Sequence, residues 1–214
     1  MCRTTISWSC AEAGLSATPR FIYHEIDFVN RKLEMGQYFF ADVVGEGRML
    51  YDSEQFTLAE PKPLSVQERL EITSRNFNHW YQRAEQFHEN HQHNLNNGWL
   101  ELSAFNLHQT AEACYKTLLL VFTAYIPDEH YLALLGRMVE EVDPSFANNF
   151  PSDDEFQRDA FTALEYAYIG ARYDDRYAID ESTLTYLAER VGQLLKLTEA
   201  RCREKISVLE EAAK

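Results

Sequence analysis

The chain is 214 residues long, with 45% apolar and 25% charged residues and a formal net charge of −14. That length can bury a real core as one large domain, or as one domain with an appendage. The acidic excess argues against gripping long nucleic acid through its backbone, which takes a basic surface to release counterions, but it leaves room for a local basic pocket. No apolar run, LLLVFTAYI included, reaches the ~18 residues a membrane span needs, so no membrane association is expected.

Residues 1–20 are rich in Ser, Thr and Ala without periodicity and are expected to form a poorly ordered leader. They have one early arginine and no continuous apolar core, so they do not read as a signal peptide, and a cytoplasmic protein is expected. Cys2, Cys10, Cys114 and Cys202 lack CxxC or Cys/His finger spacing, which speaks against a structural zinc. Cys114 and Cys202 fall in helical apolar stripes and read as small buried hydrophobes. No metal and no cofactor are predicted.

HEIDFVNRKLEMG reads as a short helix closed by Gly36, a residue suited to the left-handed backbone after a helix end. QYFFADVVGEGRMLYDS then offers a brief helical or strand segment, a GEG turn and a short strand RMLYD. Residues 21–55 thus form a small irregular appendage. Residues 56–64, with Pro61 and Pro63 and no period, read as a linker.

Ser65 and Glu68 form a capping box that opens a long helix to about Asn90, with Leu70, Phe77, Trp80, Ala84 and Phe87 inward. Asn94, Asn96, Asn97 and Gly98 make a turn. The helix from Trp99 to about Tyr125 is central. Ala104, Leu107, Ala111, Cys114, Leu118, Val121 and Tyr125 recur at steps of three and four, and Leu119, Leu120 and Phe122 widen that stripe until several neighbours are needed to bury it. Pro127-Asp128 breaks the chain, and His130 to Val142 is a shorter helix ended by Asp143-Pro144. Ser152 and Glu155 repeat the capping box before a helix lined by Phe156, Ala160, Ala163, Leu164, Ala167 and Ala171. A last helix from about Glu181 to Ala212 buries Leu184, Leu187, Val191, Leu194, Cys202, Ile206 and Leu209. Long helices joined by short polar turns make residues 65–214 an all-α, up-and-down bundle of four to five helices.

Three polar groupings carry chemistry. His108, Glu112 and Lys116 stand one helical turn apart, so their side chains can touch. They form either a His–Glu general base with a lysine for phosphate, or a hydrogen-bonded seam with an ion pair. ARYDDRY, residues 171–177, crowds two arginines, two aspartates and two tyrosines at a helix end. Arg172 and Arg176 can hold phosphate while Tyr173 or Tyr177 stacks on a base, or the arginines and aspartates can pair with each other. His88, His91 and His93 read as a solvated helix end rather than a metal site, and His130 as the cap or start of its helix.

LHQTAEACYKTLLLVF, YIPDEHYLALLGRMV and EYAYIGARYDDRY, in that order, resemble the HEPN family of helical bundles over about Ser65 to Leu209. IDFVNRKLEMGQYFFADVVGEGRMLYDS resembles the closing segment of a polymerase-beta-type nucleotidyltransferase domain of the kind often fused to HEPN. The Gly-Ser and paired-Asp motif of that domain has no counterpart here, so residues 21–55 read as a remnant without transferase activity. The resemblance implies a bundle, commonly a homodimer, that binds nucleotide or RNA and often belongs to a toxin–antitoxin or defence module. Ribonuclease members carry an Arg followed by a His after four to six residues. Arg172 matches the arginine, but Tyr177, Ala178 and Ile179 occupy the places of the histidine. The chain is therefore expected to be a non-catalytic bundle that contacts a nucleotide or a nucleotidyltransferase-type partner through Arg172, Tyr173, Arg176, Tyr177, Lys116 and His108. The alternative is a ribonuclease using Arg172 with a displaced histidine, His108 or His130.

Overall fold

A computed structural model describes residues 21–214, and the expected leader, with Cys2 and Cys10, lies outside the described residues. The described chain is all helical: seven α-helices and one 3-10 turn, with no strand. It divides into two compact units, whose described residues are 21–62 and 63–214. Two helices belong to the first unit and five to the second, against the four to five expected for residues 65–214.

In the first unit, α1 (Ile26–Glu34) and α2 (Tyr38–Glu46) meet at Gly36, whose φ of 71° lets the Gly36 and Gln37 amides reach back to the carbonyls of Leu33 and Lys32. Leu33 and Phe40 are buried, and the Phe28 ring stands edge-on to Phe40 at 5.9 Å. The strand expected at RMLYD is not formed. Residues 48–52 are irregular, with Met49, Leu50 and Tyr51 exposed, because no second strand among the described residues offers a ladder to pair with. The following stretch is tied back to α1: the Asn30 side chain donates to the Thr57 carbonyl at 3.0 Å and accepts from the Ala59 amide at 2.8 Å. The Lys62 amide donates to the Leu33 carbonyl.

The second unit opens with α3 (Val66–Asn96), capped as the sequence implies: Ser65 Oγ accepts from the Glu68 amide and the Glu68 carboxylate accepts from the Ser65 amide. The helix runs past Asn90 to Asn96, and its buried face is Thr73, Phe77, Tyr81, Ala84 and His91. Trp80 and Phe87 are only partly buried, because the inward face follows this neighbouring stripe instead. Gly98 ends the helix at φ 73°, with the Gly98 and Trp99 amides bonded to the carbonyls of Leu95 and Asn94.

Next comes α4 (Leu100–Thr123), which packs against α3, α5 (Leu132–Val142), α6 (Glu155–Tyr173) and α7 (Glu181–Ala212). Neighbours on so many sides explain why residues 110–121 are buried without interruption. Leu107, Leu118, Leu164, Leu184, Leu187 and Leu194 are fully buried, and Cys114 and Cys202 join them in the core as the stripes imply. The cap of α6 differs from expectation. Asp154, not Ser152, accepts from the Gln157 amide at 2.8 Å, because two overlapping S/D-x-x-E/Q patterns compete and the aspartate wins the end. Phe156, expected inward, is exposed, and Gly170 lies on the buried face. No helix among the described residues is long and apolar enough to cross a membrane.

Two glycines test this account with opposite signs. A Cβ at Gly98 meets nothing within 4 Å, so Gly98→Ala adds only left-handed strain and should cost about 1 kcal/mol, or ~2–4 °C in Tm. Gly192, inside α7 and also unobstructed, should gain about 0.5–1 kcal/mol as alanine, because it loses only backbone freedom in the unfolded chain. Thermal melts of the two variants check both signs.

Candidate functional site

The four-residue period of α4 brings His108, Glu112 and Lys116 into one column, and all three are buried. Glu112 is the centre. Lys116 Nζ lies 2.8 Å from its Oε1, His130 Nδ1 lies 3.1 Å from the same oxygen, and His108 Nε2 lies 3.5 Å from Oε2. Burial alone pushes the carboxyl up, but hydrogen bonds from His108, Lys116 and His130 and the lysine's charge outweigh it and bring Glu112 from its ordinary 4.5 to about 2. Glu112 is therefore ionised at neutral pH, with the Lys116 ammonium against it.

Each histidine contact carries further information. His108 Nδ1 is 3.1 Å from the Leu164 carbonyl, an acceptor only, so this nitrogen carries the hydrogen and ties α4 to α6. His130 does not cap α5. The Glu129 carboxylate accepts from the His130 and Tyr131 amides, and Glu165 accepts from Ala133, leaving the imidazole free to reach across to Glu112. Because a carboxylate accepts, His130 Nδ1 is the donor. Nε2 then bears the lone pair, on a side chain that is 46% exposed.

Tyr168 of α6 links this column to the arginine. Its ring stacks on His130 at 4.9 Å with planes 11° apart and on His108 at 5.2 Å with planes 25° apart. One turn later, the Arg172 guanidinium lies 4.3 Å from the same ring centroid, 4.9 Å from that of Tyr173 and 5.3 Å from that of Phe105. Arg172 Nε donates to the Tyr168 carbonyl at 2.7 Å. Among the described residues no ion pair engages this guanidinium, so its outer nitrogens stay open to an anion.

The remaining ARYDDRY residues behave differently. Arg176 is turned on its own loop: Asp174 accepts from its amide at 3.0 Å and its Nε at 3.3 Å, while Tyr166 donates to the other carboxylate oxygen at 2.8 Å. Those bonds, the Arg176 amide first and then Tyr166, hold the Asp174 carboxyl below the usual range. Tyr173 is 76% exposed. Tyr177, read from the sequence as a stacking group, is packed inward. Its hydroxyl donates to the Ala163 carbonyl, and its ring lies so close to Gly170 that a Cβ there would sit 2.8 Å from it.

Thus Arg172, Lys116 and His108 come together, while Arg176 and Tyr177 serve the loop. Sequence reasoning missed Tyr168 and Phe105. Tyr168 stands four residues before Arg172 on one helix face, the only signal that pointed to it. Of the histidines expected at a solvated end of α3, His93 is exposed and His88 half-buried, but His91 departs from that reading. His91 is fully buried, with Nδ1 2.6 Å from Ser103 Oγ, and burial together with nearby His88 lowers it to about 4. No group of three or more metal-ligating side chains occurs among the described residues.

The sequence model of the HEPN domain family matches residues 77–204, more than half of the chain and all of the cluster from Phe105 to Arg172, so the chain belongs to that family. No curated protein matches it.

The buried carboxylate makes stability depend on pH with a definite sign. A folded-state pKa lowered from 4.5 to about 2 contributes stability that is fully present above 4.5 and lost as pH falls toward 2, about 3 kcal/mol in all. Glu112→Gln should therefore unfold at lower urea than the wild type at pH 7, and the gap should narrow at pH 3. An equal gap at both values would contradict a charged Glu112.

Proposed function

We propose that this HEPN-family chain binds the phosphate of a nucleotide or of a single-stranded RNA at the cluster formed by Arg172, Tyr168, His130 and Lys116. The observation that carries the reading is the Arg172 guanidinium, which rests on three aromatic rings without a carboxylate partner among the described residues. A guanidinium held by its Nε and by stacking keeps its planar fork ordered, and ordered fork donors suit bidentate phosphate contacts. Tyr173, exposed beside it, supplies a face on which a base can stack. Arg176 plays a lesser part because Asp174 already occupies it.

Within its own segment Arg172 is a binding element. Tyr177, Ala178 and Ile179 stand where the family's ribonucleases place their histidine. The proposed setting is a cytoplasmic homodimer of a toxin–antitoxin or defence module. A second reading, a nucleotidyltransferase-type protein partner, is favoured by one observation: Leu50, 91% exposed, and its neighbours Met49 and Tyr51 form an unpaired apolar stretch in the segment that resembles the end of such a domain.

Isothermal titration with nucleoside monophosphates and a short RNA tests the first reading. Arg172→Ala should weaken binding by about 10- to 100-fold, the worth of charge-assisted hydrogen bonds, while Arg176→Ala should change it less than threefold. Equal losses in both variants would move the site to the loop. No binding by the wild type, with capture of a nucleotidyltransferase in a pull-down, would establish the second reading instead.

A further inference from the structure

We propose that His88 and His91, near the end of α3, hold a transition-metal ion of the zinc, nickel or copper kind between their imidazoles. Residues three apart on a helix share a face, and the two rings lie 5.7 Å apart, centroid to centroid, with planes 30° apart. His91 Nε2 and His88 Nδ1 are both buried, and neither has a hydrogen-bond partner among the described residues. Buried ring nitrogens are ordinarily satisfied, so two orphans on neighbouring rings call for a common partner. The pair shares no residue with the Glu112 cluster or with the arginine at the end of α6.

The tautomers follow from the neighbours. Ser103 of α4 donates its one hydroxyl hydrogen to the His91 carbonyl at 3.1 Å, so the same oxygen, 2.6 Å from His91 Nδ1, accepts the hydrogen that this nitrogen carries. Nε2 is left with a lone pair, on a ring that is fully buried and fixed across the α3–α4 hairpin. A ligating histidine commonly donates its other N–H to an oxygen in this way, because the second bond sets the tautomer and the ring plane. His88 is half-buried, and with its hydrogen on Nε2 it keeps an Nδ1 lone pair on its buried side. Its partly exposed ring is the way in for an ion. His93 takes no part: it is exposed, against Asn97 and Trp99.

The class of ion follows from the donors. Metal–nitrogen bonds of ~2.0–2.1 Å place two imidazole centroids on one ion about 5 Å apart at the tetrahedral angle and about 6.4 Å apart when opposed, and the observed 5.7 Å lies between these limits. Two neutral imidazoles suit zinc, nickel and copper(II), whereas magnesium, calcium and manganese take oxygen ligands and copper(I) is selected by thiolates and thioethers. No group of three or more metal-ligating side chains occurs among the described residues, so water completes the coordination and affinity rests on two protein ligands. Glu89, whose charge acts on His88, offsets part of the charge of the ion. Held in this way, the ion ties the last turns of α3 to α4 through Ser103 and stabilises the hairpin that turns at Gly98.

The test titrates the untagged full chain, stripped with EDTA and dialysed, with Zn²⁺ and Cu²⁺ by calorimetry. One ion should bind per chain, and at one hundred times its dissociation constant it should raise Tm by about 5–10 °C, since it binds only the folded hairpin. Ser103→Ala, which frees the His91 ring, should weaken binding about 10- to 100-fold, and His88→Ala, which removes a ligand, by at least as much. His93→Ala should bind as wild type does. Electron paramagnetic resonance of the copper(II) form should show coupling to two imidazole nitrogens. Circular-dichroism melts verify that each variant is folded, and half-buried His88 is the position that tolerates truncation. No saturable binding by wild type would overturn the proposal and leave the two nitrogens to a trapped water. Binding that survives His88→Ala, or that His93→Ala abolishes, would overturn it by placing the ion on the surface.

Discussion

The second unit is built around a carboxylate taken almost wholly out of water. Placed on the most buried helix of a bundle, Glu112 can stay ionised only if partners replace its hydration, and it has four side chains within 3.5 Å, His108, Gln109 and Lys116 from its own helix and His130 from the loop before α5. Removing any one leaves a buried charge undercompensated. Bundles of this kind are generally as stable, or more so, with apolar residues of equal volume in place of buried ion pairs. Stability alone is thus a poor reason for the arrangement. A carboxylate that fixes a half-exposed histidine against the tyrosine ring that also carries Arg172 offers a better one, because an ordered aromatic platform is what the proposed anion site needs.

Coupling between helices follows from the same group. His108 donates from Nδ1 to the Leu164 carbonyl while its Nε2 faces Glu112 at 3.5 Å, so the polar column of α4 sets where α6 lies and hence where Tyr168 and Arg172 project. The α3–α4 turn at Gly98 and the apolar face of α4 supply the packing, but packing of leucines alone would tolerate small slides of α6 along α4. A directional hydrogen bond between a ring nitrogen and a particular carbonyl does not. An acidic protein thereby presents one ordered cation on an aromatic platform, a local surface opposite in sign to the whole.

How much of this was legible in the chain depends on whether the signal was local. The capping box at Ser65 and Glu68, the glycine stops and the apolar face of α4 are short-range effects, and the sequence pattern reads them directly. The start of α6 was ambiguous because Ser152-x-x-Glu155 and Asp154-x-x-Gln157 both carry cap chemistry. The apolar RMLYD looked like a strand because pattern reports side chains and says nothing of a pairing partner. The column His108–Glu112–Lys116 is visible as spacing. Its junction with Arg172 is not, since that depends on how α6 crosses α4. Tyr177 and Tyr173 are equivalent in sequence, yet Gly170 opens a space that Tyr177 enters beside Tyr166, while Tyr173 stays exposed. His130 resembled a helix start because Asp128 and Pro127 precede it, and its true partner lies 18 residues back, on another helix.

The central claim is that Glu112 holds His130 with Nε2 open, on the Tyr168 ring that it shares with Arg172, and imidazole nitrogen NMR reads it most directly. Long-range proton–nitrogen spectra at neutral pH should give the Nδ1–H tautomer for His130, with the Nε2 resonance moving as a nucleoside monophosphate is added to the wild type and staying still in Arg172→Ala. An Nε2–H tautomer, or a resonance indifferent to the nucleotide, would contradict the account.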